Sequence, residues 1–150
     1  MSIWQCRLRT IDGMTAITTR HTPATHSDPQ LLRFAMRADA TLCGGLGLFV
    51  AMAADPLSRL SGLTSTAEWI SGAALVAYGV ILYAAAGVRA VRGVGVAVLV
   101  GNVSFTVAVT VVLIAGWLPL TPVGIAATVA FTVATVGFAC LQYLGVRRLA

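Results

Sequence analysis

The sequence predicts an all-α membrane protein: four transmembrane helices in an antiparallel bundle, with both termini in the cytoplasm. Three observations lead there. Of the 150 residues, 58% are hydrophobic and only 10% are charged, whereas a soluble domain carries about 25% charged residues. The apolar residues gather in four long runs separated by turn and charge signals, giving a mean hydropathy of +0.89. The arginines then sort by side, nine on one and one on the other, as shown below.

Residues 1–30 stand apart from the runs. They hold eight Ser/Thr, three Arg and two Pro with no sustained apolar period, which reads as a disordered polar cytoplasmic arm. The arm lacks the apolar core of a secretory signal. Its Arg-rich, Ser/Thr-rich and acid-poor character resembles an organellar transit peptide, and Met14 stands as an alternative initiator. Both histidines, His21 and His26, fall here, so no histidine pair occupies haem-ligand positions in the membrane. No function is assigned to the arm.

Residues 31–150 form the transmembrane domain. Helix one, about 31–54, opens with the interfacial turn LLRFAMRADA and crosses as TLCGGLGLFVAMAA. Only residues 40–54 are free of charge, short of the ~20 that span the hydrocarbon core. Arg37 or Asp39 therefore lies at the headgroup boundary. Asp55-Pro56 ends this helix, since proline disfavours a helical residue before it, and PLSRLSGLTST is expected to be a loop. Helix two, about 67–88, takes Thr66 or a neighbour as N-cap and Glu68 in its first turn, where a carboxylate suits the helix dipole. Helix three follows RAVRG and covers about 94–117. The segment WLPLTP turns the chain, with Trp117 at the interface. Helix four, about 123–146, closes at Arg147-Arg148.

Orientation follows from the arginines; there is no lysine. Arg7, Arg9, Arg20, Arg33 and Arg37 precede the first crossing, Arg89 and Arg92 lie in the second loop, and Arg147 and Arg148 end the chain. The first loop has Arg59 beside Asp55 and Glu68, and the third has no charge. Nine against one satisfies the positive-inside rule for four crossings, as expected of a multi-pass protein of a bacterial inner (cytoplasmic) membrane. Short connections make an up-and-down bundle the default arrangement.

Polar residues recur on two helices. Asn102, Thr106 and Thr110 are spaced by four on helix three; Thr128, Thr132, Thr135 and Gln142 share a face of helix four. At 1.5 Å per residue, Asn102 lies about 13 Å inside the cytoplasmic end, level with the interval between Thr135 and Gln142. An unpaired carboxamide is costly in lipid, so Asn102 must face protein or water. The seam is either interhelical bonding, worth about 0.6 kcal/mol per bond and at most roughly 1.7, or a small polar pocket. Ser and Thr can instead bond back to their own helix. Helix two adds Ser71 and Tyr78 at a step of seven.

Small residues also repeat: Gly93, Ala97 and Gly101 on helix three, Ala126, Ala130 and Ala134 on helix four, and Ala40 with Gly44 on helix one. Such faces allow close backbone approach. Cys43 and Cys140 fall in apolar helices, where a small buried thiol is expected. Tyr78, Tyr83 and Tyr143 are expected to serve packing or the interface.

Asp39 is the one acid expected near the membrane interior. It is read as a boundary residue held by the helix-one N-terminus or by Arg37, Arg89 or Arg92. The alternative is a proton- or cation-handling carboxylate at the cytoplasmic mouth. Asp55 and Glu68 are expected to be solvated. No nucleophile–base pair arises, because Ser71 and Ser104 have no activator; no phosphate loop or metal constellation is present. No enzyme activity, cofactor or metal is expected, and no basic cluster interleaved with aromatics points to nucleic acid.

The segments LRFAMRADATLCGGLGL, GNVSFTVAVTVVLIAGW and LQYLGVRR resemble a family of small, uncharacterised four-helix integral membrane proteins of bacteria, of actinobacterial type. The resemblance covers roughly residues 31–148 and implies that Arg33, Asp39, Gly101, Asn102, Gln142 and Gly145 match the family pattern. Phe105 stands where that pattern has Trp after Gly-Asn. The family implies no reaction. The leading expectation is thus an accessory or structural subunit in the lipid bilayer, packing with another membrane protein or with itself. The alternative is a small transporter or channel for a polar solute or ion, using Asp39 and the Asn102 seam.

Overall fold

The computed structural model describes residues 29–149. Among them are five helices and no strand: α1 (Gln30–Met52), α2 (Ala54–Ser61), α3 (Ser65–Ala85), α4 (Val91–Ala115) and α5 (Pro122–Arg147). Four of these, all but α2, are long and apolar enough to cross a membrane. The chain is accordingly a multi-pass membrane protein. Of the polar arm predicted over residues 1–30, only Pro29 and Gln30 are described, and Gln30 already belongs to α1. The rest of the arm, with Met14, His21 and His26, lies outside the described residues.

The segment expected to be a loop after Asp55-Pro56 is instead the short helix α2. Asp55 and Pro56 open that helix rather than merely ending the one before. A proline in the first turn removes an N–H that has no helical partner there, and the acid faces the positive end of the dipole. Gly62 stops α2 at φ 87°, a left-handed conformation that glycine adopts without steric cost. Gly116 ends α4 in the same way, at φ 64°. The cap of α3 is Thr64, two residues before the predicted Thr66; its hydroxyl accepts from Ala67 N at 3.2 Å. Thr121 caps α5 by accepting from Gly124 N at 3.1 Å, with Pro122 next in the first-turn position it favours.

The most extensive helix contact in the fold joins α1 to α3, and it passes through glycines. A Cβ placed on Gly79 would lie 2.7 Å from Ala40 O and 2.8 Å from Gly44 N; one on Gly47 would lie 2.6 Å from Gly72 O. Backbone thus meets backbone at two levels. The helix α5 closes on α1 where Gly145 admits Leu32, and α4 does so where Gly95 admits the same side chain. Leu32, Met36, Leu82, Ala86 and Val91 form a fully apolar plug at this end. The helices α4 and α5 meet through Phe105 and Phe131, edge to face with centroids 6.0 Å apart.

The small-residue faces predicted on α4 and α5 are largely uncovered among the described residues, with only Ala134 half-buried. Gly93 and Gly101 have open space where a Cβ would go, and Ala97, Ala126 and Ala130 are exposed. The buried face of α4 runs through Val91, Gly95 and Asn102, and at 100° per residue Gly93 and Ala97 lie about 160° around from Gly95. Cys140 is likewise exposed, unlike the buried Cys43.

Arg33 fastens the ends of α1 and α3. Its guanidinium donates to Ala86 O at 2.7 Å and to Val88 O at 2.9 Å, placing a cation on the carbonyls that finish α3. Arg33→Gln is expected to lower stability by about 1–2 kcal/mol in detergent unfolding titrations. Arg37→Gln, at an exposed position, is expected to change it by less than about 0.5 kcal/mol.

Candidate functional site

Four spanning helices each deliver one polar side chain to a common point. Asp39 lies roughly 14 Å along α1 from Gln30, Tyr78 about 10 Å from the end of α3, Asn102 about 16 Å along α4 and Gln142 about 8 Å from the end of α5. All four distances are measured from the arginine-bearing end. The group is therefore well inside the apolar span, beneath the plug.

The bonding forms a closed ring. Asn102 Nδ2 donates to Asp39 Oδ2 at 3.1 Å and to Gln142 Oε1 at 3.0 Å. Gln142 Nε2 donates to the same Asp39 Oδ2 at 2.9 Å. Two further donors attach: Tyr78 OH to Asn102 Oδ1 at 2.9 Å, and Cys43 Sγ to Asp39 Oδ1 at 3.4 Å. Asp39 is 2% exposed, Asn102 5% and Gln142 0%. Polar groups this deep are stable only when each finds a partner, and here they find one another.

Asp39 is thus a buried acid rather than a boundary residue, and no arginine among the described residues holds it. Arg37, the partner the sequence suggested, is exposed and lies 5.9 Å from the centre of the Tyr83 ring. The helical period explains this: positions 37 and 39 are about 160° apart around α1. Arg37 therefore points outward when Asp39 points in.

The rest of the predicted seam divides by geometry. Steps of four advance about 40° around a helix, whereas steps of seven retreat only about 20°. On α4 the face accordingly drifts outward, from buried Asn102 through half-buried Thr106 to exposed Thr110. On α5, Thr135 and Gln142 are buried, while Thr128 and Thr132 are half-buried. The threonines bond within their own helices: Thr110 to Thr106 O, Thr128 to Gly124 O, Thr132 to Thr128 O and Thr135 to Phe131 O, at 2.8–3.0 Å. Thr106 Oγ1 is buried and has no hydrogen-bond partner among the described residues. Of the seam, only Asn102 and Gln142 bond across helices.

Two members escaped the sequence reading. Cys43 was legible as the residue one turn beyond Asp39, on the same face. Tyr78 carried the weaker signal of a polar tip seven residues after Ser71, which is itself exposed. A second correction concerns Glu68. It is 6% exposed rather than solvated, and it accepts a hydrogen bond from Ser61 Oγ. The cause is α2, which carries Ser61 over the start of α3. The same corner is pinned by Thr121, whose N–H donates to Ser61 O at 2.8 Å and whose hydroxyl donates to Leu60 O. Asp55 is exposed and accepts from Ser65 Oγ.

Among the described residues, no three His, Cys, Asp or Glu side chains gather as a metal-ion set. Chemically, the ring offers one ionisable carboxyl inside the span, two carboxamides that hold it and two weakly acidic donors around it. No family model, curated protein or solved structure matches the chain.

Proposed function

We propose that this is a small transporter or channel of a bacterial inner membrane, in which Asp39 handles a proton or small cation. In this reading the four spanning helices run antiparallel and both termini are cytoplasmic, following the nine-to-one arginine bias. The observation that carries the proposal is the Asp39 carboxyl, buried in the span and bonded to Asn102, Gln142 and Cys43 without a basic partner among the described residues. Two carboxamides alone would suffice as interhelical glue. An acid among them adds desolvation cost without adding a counter-ion, and such intramembrane acids mark ion pathways. The close helix contacts leave no wide pore, which suits a very small solute.

Purified protein in proteoliposomes tests this. Wild type is expected to dissipate an imposed ion gradient, and Asp39→Asn to slow it by at least about tenfold, in the range that proton-transferring groups contribute. The asparagine keeps an acceptor for both carboxamides, so the fold is retained. Wild-type vesicles no leakier than protein-free ones would reject the proposal.

The accessory-subunit reading rests on a different observation, the outward face of α4. Gly93, Ala97 and Gly101 are exposed and unfilled, as a face that receives another helix would be. Extraction in a mild detergent tests it: a co-purifying membrane protein or a stable homo-oligomer supports the reading, and a lone monomer counts against it.

A further inference from the structure

We infer that the lipid-facing side of the α1–α3 contact holds an acidic phospholipid from the leaflet at the arginine-bearing end, with the lipid phosphate on Arg37. This rests on neither functional reading above and needs no passage through the bundle.

Charge singles out the end. Among the described residues, Arg33, Arg37, Arg89, Arg92, Arg147 and Arg148 all stand there. The described acids leave them without a partner: Asp39 is enclosed in the ring, and Asp55 and Glu68 belong to α2 and the start of α3, at the opposite end. Each arginine near a membrane surface strengthens attraction to anionic lipid by about fivefold.

Geometry singles out Arg37. Arg33 spends its guanidinium on Ala86 O and Val88 O. Arg37, one turn further into the span, is exposed, and its N–H groups meet no acceptor among the described residues. It lies about 10 Å along α1 from Gln30, one turn beyond the exposed Phe34, so its surroundings are apolar. A cation on such a surface is costly unless it reaches the headgroups and pairs there. The Tyr83 ring steadies it, 5.9 Å from guanidinium to centroid, and the N–H edges are left for the two oxygens of a phosphate. Arg89 is exposed and follows Val88, which Arg33 ties to α1, so a second cation is near.

The surface beyond Arg37 suits an acyl chain. One and two turns on lie Thr41, Gly44 and Gly45, and both glycines have open space where a Cβ would go. The Thr41 hydroxyl donates back to Arg37 O at 2.8 Å, so it offers no free donor to the lipid. Tyr83 and Val80 are exposed on α3. The small residues thus form a shallow track from Arg37 towards the middle of the bilayer. A free phosphate would use the cation and leave the track empty; a phospholipid uses both.

Native mass spectrometry of the full chain in mild detergent, offered equal phosphatidylglycerol and phosphatidylcholine, tests this. Wild type is expected to retain the anionic lipid over the zwitterionic one by at least about fivefold. Arg37→Gln is expected to lose about that factor, and Tyr83→Leu about two- to fivefold, with the unfolding midpoint of Arg37→Gln unchanged when no lipid is added. Arg148→Gln makes the same charge change on α5, which meets α1 at Leu32, about 140° around that helix from Arg37; it is expected to keep the preference. Excess inorganic phosphate is expected to leave the lipid bound. Equal losses in Arg37→Gln and Arg148→Gln would reduce the effect to diffuse charge and overturn the site. Displacement by inorganic phosphate would assign Arg37 to a free anion and overturn the acyl track. Equal retention of both lipids by wild type would overturn the whole inference.

Discussion

Gly79→Val is expected to abolish the folded helix assembly, whereas Gly101→Val is expected to leave it intact. On Gly79 even the first added carbon would sit 2.7 Å from Ala40 O and 2.8 Å from Gly44 N. Both are backbone atoms of α1 and neither can rotate away. Overpacking a core with flexible neighbours costs about 1–3 kcal/mol; here α1 and α3 must part along their whole contact. Gly72, whose added carbon would meet Ala51 N at 2.5 Å, and Gly47 would be forced open with it. Separation also draws Asp39 away from Tyr78 and its neighbours, since α1 carries the acid. Gly101 has open space where its side chain would go, so a side chain there meets no other described residue. Circular dichroism during titration with a denaturing detergent would measure the contrast. Gly79→Ala should already lower the midpoint. Gly101→Ala should raise it slightly, by up to about 1 kcal/mol from helix propensity. Equal midpoints for the Gly79 and Gly101 variants would show that α1 and α3 do not depend on this contact.

The same two glycines illustrate what was legible beforehand. Both read as small residues on a spanning helix, and the sequence pattern favoured Gly101, which belongs to a regular run with Gly93 and Ala97. The structure packs Gly79 and leaves Gly101 open, because a face is chosen by what the neighbouring helix offers. The four spans and the arginine asymmetry depend on local composition and could be read directly. The Asn102–Gln142 pair was readable as two polar residues at one depth. Asp39 was not readable as their third member, because it lies between Arg37 and a short charge-free run and so looked like a boundary residue. Its inward direction is a matter of angle around α1, and its partners are on helices far away in sequence. Glu68 departs from its expected exposure for a related reason: the helix α2 that covers it carries Asp55-Pro56 in its first turn, a dipeptide that signals the end of one helix and equally the opening of another.

The ring itself is open to a decisive replacement. Asn102→Leu alone removes three hydrogen bonds, two donated by its amide and one accepted from Tyr78. At about 0.6 kcal/mol each, and at most roughly 1.7, the loss is expected to be about 2–4 kcal/mol. Gln142 still donates to Asp39 in that variant, so a folded but weakened protein is expected. The combined replacement Asp39→Leu, Asn102→Leu, Gln142→Met and Tyr78→Phe behaves differently, because of the cluster it leaves only the weakly bonding Cys43 thiol without its acceptor. Replacing a buried polar cluster by apolar side chains of similar volume is often neutral or stabilising. The quadruple variant is therefore expected to unfold at or above the wild-type detergent midpoint, well above Asn102→Leu, and to carry no ion flux. Recovered stability would mean that the bundle does not need the ring in order to fold. The acid at its centre would then have to be explained by what it does in the membrane. A quadruple variant that fails to assemble, or assembles in several forms, would instead assign the ring to setting helix register and would favour the accessory-subunit reading.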